Sequence, residues 1–393
     1  MTAYDAIVVG ARCAGSATAM LLAQQGLRVL ALDRARYGSD TVSTHALMRG
    51  GVLQLQRWGL IDRVVAAGTP PITRVLFHYP DETVPISLKP AAGVHSLYAP
   101  RRTVLDRILA DAAMEAGADV RFQTTVTDVL RHGAGRVTGI AARDDQGRAF
   151  VASAPITIGA DGLRSTIARS VDAPIVRRAS GGSAALYGYW DDFPAEGYEW
   201  FYAPGTAAGL VPTNDGQTLV FVGTTIERMR ALRSSGTGRA FTTLLDAVSP
   251  SASSRVTAAR SPRHLRGFAG VPGYLRQAGG TGWALVGDAG AWEDQLSTHG
   301  ITDAFRDADL LAGAVRKIRT GSLSEAEALD DYQATRDRMA GPLFGVVEPI
   351  ASFGWTTTTL RRLLLEASSA MTEQVEGLQE LDVRESSERL HIA

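Results

Sequence analysis

The run Asp5-Ala-Ile-Val-Val-Gly10-Ala-Arg-Cys-Ala-Gly15, with its continuation through Gly26 to Asp33, decides the fold. Asp5 to Gly10 is a continuous apolar run, as a strand buried on both faces requires. Ala14 to Gln25 is small and apolar, suited to a helix packed on a sheet, and Gly26 is its stop. Leu27 to Asp33 is a second apolar strand that ends in an acid. Strand, tight turn, helix and strand make a βαβ unit, so a parallel sheet in an α/β domain is predicted. Gly10 permits the turn, and Gly15 lets the helix pack close to the sheet. The helix N-terminus then offers free N–H groups and a partial positive charge to an anion.

Composition limits the function classes. The chain has 393 residues, 40 Lys+Arg against 41 Asp+Glu, and 45% apolar residues. That excludes a disordered chain and a nucleic-acid binder driven by bulk positive charge. At roughly 100–200 residues per domain, two or three domains are expected. Lysine occurs only as Lys89 and Lys317. A single cysteine, Cys13, excludes an internal disulfide and a thiolate metal site, and no metal is expected. Met1 to Asp5 lacks the basic start of a secretory signal, so a reducing cytoplasm is the expected compartment. The apolar stretch Ala6 to Ala23 is too short, and too interrupted by Arg12, to span a membrane.

From about Thr73 the pattern changes. Arg74 to Leu88 reads as two short strands around Pro80-Asp-Glu. Thr103 to Gly117 reads as a helix with Leu105, Ile108 and Leu109 on one face. Asp119 to Arg131, Arg136 to Arg143 and Arg148 to Ile158 are strand-like. Ser183 to Thr225, aromatic and β-branched between turns, predicts an antiparallel sheet with one open face. Gly282 to Val286 returns to a buried strand, Gly300 to Arg319 is a long helix, and the chain from Ser324 is helical in pattern. Ser234–Gly238 and Ser249–Ser254 read as surface loops.

Two further motifs sharpen the reading. Gly159-Ala-Asp-Gly-Leu-Arg-Ser165 follows an apolar strand and opens a helix. Gly287-Asp-Ala-Gly290 follows the strand Trp283 to Val286 and leads to His299-Gly300-Ile301. With Gly10–Gly15, Asp161-Gly162 and Gly287-Asp288 in this order, the chain from Tyr4 to about Leu311 resembles the FAD-dependent aromatic hydroxylase superfamily. These are the single-component (group A) flavoprotein monooxygenases, and motifs are shared with the geranylgeranyl reductase and flavin halogenase branches.

The resemblance implies a discontinuous Rossmann-like FAD-binding domain (GR2-type) built from residues 1–72, 97–180 and 270–330. It implies an antiparallel substrate sheet domain from 73–96 and 181–269, and a helical C-terminal extension over 331–393. Gly10, Arg12, Ala14 and Gly15 would form the pyrophosphate turn, Arg12 standing where the second glycine of G-x-G-x-x-G usually lies. Asp33 and Arg34 would meet the adenosine ribose. Arg102, heading an R-x-x-L-x-x-x-L pattern with Leu105 and Leu109, would contact the phosphate–ribityl region. Val126 would meet adenine through its backbone. Asp161 would act near the pyrophosphate and an approaching nicotinamide. Asp288 would bind ribityl hydroxyls, and the N–H groups of Gly300 and Ile301 would face the flavin pyrimidine carbonyl. Where the family continues with His, then Pro, then Gly-x-Gly, this chain has Ala291, Gln295 and Thr298-His299-Gly300.

His45, in the loop that the resemblance places beside the flavin, is a candidate catalytic residue. With an ordinary pKa of about 6.5 it would serve as substrate hydrogen-bonder or general base. The alternative is a cap on the helix starting near Ala46. His299 is the second candidate, as flavin-edge donor, pocket wall or loop stabiliser. His78, Trp190, Trp200, Tyr202 and Phe221 fall on the substrate sheet and read as walls for a flat hydrophobic substrate, or as ordinary sheet packing. The basic run Arg255 to Arg266, with Arg260, Arg263 and His264, would attract nicotinamide phosphates or form a solvated face.

The implied activity is that of an FAD-dependent monooxygenase. NAD(P)H would reduce FAD, molecular oxygen would give a flavin hydroperoxide, and an aromatic or polycyclic small molecule would be hydroxylated. A flavin-dependent reductase or dehydrogenase acting on a carbon–carbon bond is kept open by Gln295. A halogenase, whose W-x-W-x-I-P signature is absent, and a non-catalytic flavin-binding module are the remaining alternatives. No separate nicotinamide domain is visible, so a partner flavin reductase also fits.

Overall fold

The computed structural model describes residues 2–133, 135–260, 262 and 264–392. Arg263 lies outside the described residues. The strands Ala6–Val9, Val29–Leu32, Ile156–Gly159 and Trp283–Leu285 are buried along their whole length. With Asp119–Arg121 and Gly279–Gly280 they form one six-stranded sheet, parallel except at the Gly279–Gly280 hairpin. Alternation explains why their runs carry no polar face. Ala6 and Val8 point into a core shared with Leu105, Leu109 and Phe305 from the helices Arg102–Glu115 and Gly300–Arg319. Ile7 and Val9 point the other way, into a core with Val126, Val129 and Ile140. The strands Thr125–His132, Arg136–Arg143 and Ala149–Ser153 cover that second side.

Two predicted strands divide. Asp119 to Arg131 breaks at Gln123, which has a left-handed φ of 54°. Arg148 to Ile158 breaks at Ala154-Pro155, where proline lacks the N–H needed to continue a ladder. Its halves, Ala149–Ser153 and Ile156–Gly159, belong to different sheets.

The second large sheet has seven strands, ordered Arg266–Phe268, Ser183–Asp191, Gln217–Thr225, Thr206–Pro212, Tyr198–Ala203, Arg74–His78 and Thr83–Ser87. Its pairing is antiparallel except between Tyr198–Ala203 and Arg74–His78, which run parallel. The expected open face is absent over the central strands, where Leu186, Leu210 and Val220 are buried under helices. The helices Ile226–Arg233, Thr237–Val248 and Pro250–Ala258 cover one face with Phe241, Leu244 and Val256. The piece Ser249–Ser254, read as a loop, starts one of these helices. Ser249 accepts from the Ala252 N–H as its cap, and Pro250 occupies the first turn. The C-terminal helices Glu325–Ala351 and Thr357–Ile392 follow, the first opened by a Ser324/Glu327 capping box. Leu343, Val347 and Trp355 pack there with Tyr202, Ala207 and Leu296.

Candidate functional site

Register builds the site. Val9 pairs with Leu32 on one side and Gly159 on the other, and Gly159 pairs with Leu285. Four carboxyl ends therefore stand side by side, with roughly 4.8 Å between neighbours. The residues that leave these ends are Gly10, Asp33, Asp161 and Asp288. A crevice outside the carboxyl ends of parallel strands is where such sheets bind ligands. Here it is a cavity of about 590 Å³ lined by all four.

The glycine turn is closed by contact. A Cβ on Gly10 would lie 2.4 Å from the Ala160 carbonyl oxygen, and its φ is +100°. A Cβ on Gly15 would lie 1.8 Å from the Gly10 oxygen. Gly15 acts through this packing, whereas Arg12, Ala14, Arg34, Arg102, Val126, Gly300 and Ile301 line the cavity itself. Asp33 accepts from the Ala11 N–H at 2.8 Å and the Ala35 N–H at 2.7 Å, which fixes its carboxylate at the cavity edge. Asp161 accepts from the Thr166 N–H at 2.6 Å, while its Oδ1 has no partner among the described residues. Burial raises its pKa.

Asp106 is the site residue that the sequence reading missed. It accepts from Arg12 Nη1 at 2.8 Å, from Arg102 Nε at 2.9 Å and from the Cys13 thiol at 3.2 Å. Two guanidinium groups share this one carboxylate, so the cluster keeps a net positive charge beside the turn. Arg12 thus meets Asp106 and the Ser39 carbonyl rather than standing free to replace a glycine contact. The signal was available: Asp106 lies four residues after Arg102 on a helix, the spacing of a facing ion pair.

Asp288 shows what the cavity is shaped to hold. Its carboxyl has no side-chain partner among the described residues, and burial raises its pKa to about 7 against the pull of Arg102. A half-buried acid that faces a cavity with no protein donor suits hydroxyl or N–H groups from a ligand. Beside it the helix Gly300–Arg319 starts at His299 with no side-chain cap, so its first N–H groups and partial positive charge face the same cavity. An unpartnered acid at Asp288, free N–H groups at the helix start by Gly300, a glycine turn before a helix N-terminus and a carboxylate at Asp33 are a set of groups that fits FAD.

Both candidate histidines line the cavity, and both are neutral. His45 is 2% exposed, and its Nε2 bonds the Tyr189 hydroxyl at 3.0 Å. Burial, aided by Arg101 and Arg102, drives its pKa down to about 3. That corrects the expectation of a base near neutrality. Its φ of 45° also places it outside the helix, which begins at Arg49, so it is no cap. His299 is 1% exposed and bonds Gln374, and burial lowers its pKa as well.

The five residues read as substrate walls do not line this cavity. His78 and Trp190 lie on the helix-covered face: His78 stacks on Phe201 at 4.2 Å and Trp190 on Phe241 at 5.4 Å. Trp200 and Phe221 lie on the opposite face with Tyr187, and Tyr202 packs against Trp355. The aromatic residues that do line the cavity are Tyr187, Phe268 and Trp292. Strand parity separates Tyr187 and Tyr189 from Trp190, because alternate residues face opposite sides. Arg255, at the start of the basic run, is held by Glu199 at 3.0 Å.

Comparison with known proteins gives the family and the fold. The family described as FAD binding domain matches residues 3–343. The digeranylgeranylglycerophospholipid reductase of Methanocella arvoryzae is 26% identical over 338 residues, spanning 84% of this chain and 82% of that protein. The myxobacterial chondrochloren halogenase CndH superposes with a TM-score of 0.79 at 22% identity, over 97% of this chain and 92% of that one. PqsL, a probable FAD-dependent monooxygenase from Pseudomonas aeruginosa, superposes with a TM-score of 0.73 at 21% identity, over 90% and 98%. Among the described residues no helix is long and apolar enough to cross a membrane, and no His/Cys/Asp/Glu group is arranged to hold a metal.

Proposed function

The chain belongs to the FAD binding domain family and is an FAD-dependent oxidoreductase, and from that premise we propose that it is a monooxygenase that places one oxygen atom on an aromatic or polycyclic small molecule. NAD(P)H, directly or through a partner flavin reductase, is the proposed electron source. FAD, when bound, supplies the redox and oxygen chemistry. The protein binds, orients and keeps water out. Asp33 and Arg34 would hold the ribose, the Arg12/Arg102/Asp106 cluster and the glycine turn would hold the diphosphate, and Asp161 would stand beside them. Asp288 would accept from the ribityl hydroxyls, and Gly300 and Ile301 would donate N–H groups to the ring.

The observation that carries this reading is the aromatic lining that Tyr187, Phe268 and Trp292 give to the cavity that the start of the Gly300 helix also lines. Such walls suit a flat hydrophobic substrate. His45, neutral and tied to Tyr189, orients a substrate hydroxyl rather than removing its proton. Neither lysine lines the cavity; Lys317 pairs with Asp331 at 2.7 Å. A halogen transfer that uses a lysine therefore has no residue to act through.

A second reading, reduction of a carbon–carbon double bond, is favoured by Gln295, which replaces the family's proline and donates to the Ser183 hydroxyl at 3.2 Å. One experiment separates the two. Flavin bleaching is followed with NADH and NADPH, with and without a panel of phenolic and polyketide-like compounds, alongside oxygen uptake and product mass. Oxygen uptake with a product one oxygen heavier supports the proposal. Anaerobic turnover to a product two hydrogens heavier overturns it.

A further inference from the structure

The C-terminal helix Thr357–Ile392 is tied to the cavity-lining His299 through Gln374. Gln374 is 3% exposed and uses both ends of its amide. Its Nε2 donates to Asp303 Oδ1 at 3.2 Å, and its Oε1 meets His299 Nε2. The amide orientation follows from chemistry, because an ionised carboxylate only accepts and the NH₂ must face Asp303. The carbonyl oxygen therefore faces His299, and His299 must carry its proton on Nε2. Its Nδ1 makes no hydrogen bond among the described residues. Beyond Gln374 the chain of contacts continues. Asp303 accepts from Arg306 Nη1 at 2.5 Å, Arg306 Nη2 donates to Asp307 at 2.8 Å, and Asp307 accepts from the Gly287 N–H at 3.0 Å. Gly287 immediately precedes Asp288. His299, Asp303, Arg306 and Asp307 are all at most 4% exposed.

We propose that Gln374 is a positioning residue: it locks His299 in the Nε2–H tautomer and Asp303 in one rotamer, and so makes the C-terminal helix part of the flavin end of the cavity. Two sides of that end meet here. His299 precedes Gly300, whose helix N-terminus faces the cavity, and the Asp303–Arg306–Asp307 chain anchors the turn that carries Asp288. Both sides share one carboxylate, Asp303. The charged groups that bear on His299 are Asp303 and Arg306, and they oppose one another. Gln374 therefore decides which nitrogen holds the proton without adding charge. The inference does not depend on which reaction the flavin performs.

The test needs no turnover. Histidine side-chain ¹⁵N spectra of the FAD-bound protein report the tautomer of each of the seven histidines, with His299→Phe as the assignment control. Wild type should show His299 neutral and protonated on Nε2. Gln374→Leu should abolish that single-tautomer signature and weaken FAD binding roughly three- to tenfold, the equivalent of one buried hydrogen bond. The double variant Gln374→Glu with Asp303→Asn keeps the net charge and exchanges donor for acceptor, so the Nε2–H signature should return. An Nδ1–H tautomer in wild type overturns the proposal without any variant. So does Gln374→Leu that leaves either the tautomer or the FAD affinity unchanged, or failure of the double variant to restore the signature.

Discussion

Asp288→Asn should stabilise the protein without FAD while weakening its hold on FAD, and the two effects have opposite origins. The Asp288 carboxyl has a pKa near 7 in the folded chain because burial outweighs the attraction of Arg102. In the unfolded chain it lies near 3.9. Below both values the carboxyl is protonated in either state and costs nothing. As pH rises from 3.9 to 7 the unfolded chain releases a proton that the folded chain keeps. Folded stability then falls by about 1.4 kcal/mol per pH unit and levels off above 7. Asparagine has no such dependence. In the protein stripped of FAD, the advantage of the variant over wild type should grow by about 2–3 kcal/mol between pH 5 and pH 7. With FAD present, ribityl hydroxyls reward the charged acceptor. Losing charge-assisted hydrogen bonds of about 1.5–3 kcal/mol weakens binding by roughly ten- to a hundredfold. Thermal unfolding across pH and FAD fluorescence titration measure the two parts. A stability difference that is flat or shrinks with rising pH refutes the burial argument, and unchanged FAD affinity refutes the placement of Asp288 on the cofactor.

Other substitutions probe other joints. Gly15→Ala forces a methyl to within 1.8 Å of the Gly10 oxygen, so thermal stability should fall by about 1–3 kcal/mol and FAD affinity with it. His45→Gln should leave the shape of the turnover pH profile unchanged between pH 6 and 8, because a histidine with a pKa of about 3 does not titrate there. It should also flatten acid unfolding. Wild type loses stability as pH falls below about 6.5, where the unfolded histidine takes a proton that the folded one refuses, so about 2–3 kcal/mol of acid sensitivity between pH 6.5 and 4.5 should vanish. Trp190→Ala should cost about 3–5 kcal/mol in denaturation while leaving KM unchanged, because Trp190 packs on Phe241 away from the cavity. Trp292→Leu, on the cavity wall, should raise KM severalfold with little loss of stability.

The cofactor half of the site was legible because each part is local. A strand, a glycine turn and an acid at the strand end each leave a mark within about thirty residues, and parallel pairing alone then brings Asp33, Asp161 and Asp288 together. Substrate walls are not local in that way. Trp190 and Tyr187 stand on one strand three residues apart, and only parity against a covered sheet assigns them to opposite faces. An antiparallel sheet with one solvated face was expected, so every aromatic residue on it was equally eligible. The three helices that fill one face take His78 and Trp190, and Trp200, Tyr202 and Phe221 pack on the other side without reaching the cavity. Asp106 was half legible, since its helical spacing to Arg102 is a local mark while its bond to Arg12 is not; Gln374 was hidden, because both of its partners lie more than seventy residues away and no spacing in the sequence records that.

The central claim is that one elongated cavity holds FAD along the carboxyl ends of four neighbouring strands. The structure of the FAD complex tests it most directly. Adenosine ribose should lie against Asp33, diphosphate at the Gly10–Gly15 turn, ribityl hydroxyls on Asp288, and the ring at the Gly300 N-terminus. A flavin bound elsewhere, or bound here with Asp33 and Asp288 both out of contact, would contradict the account.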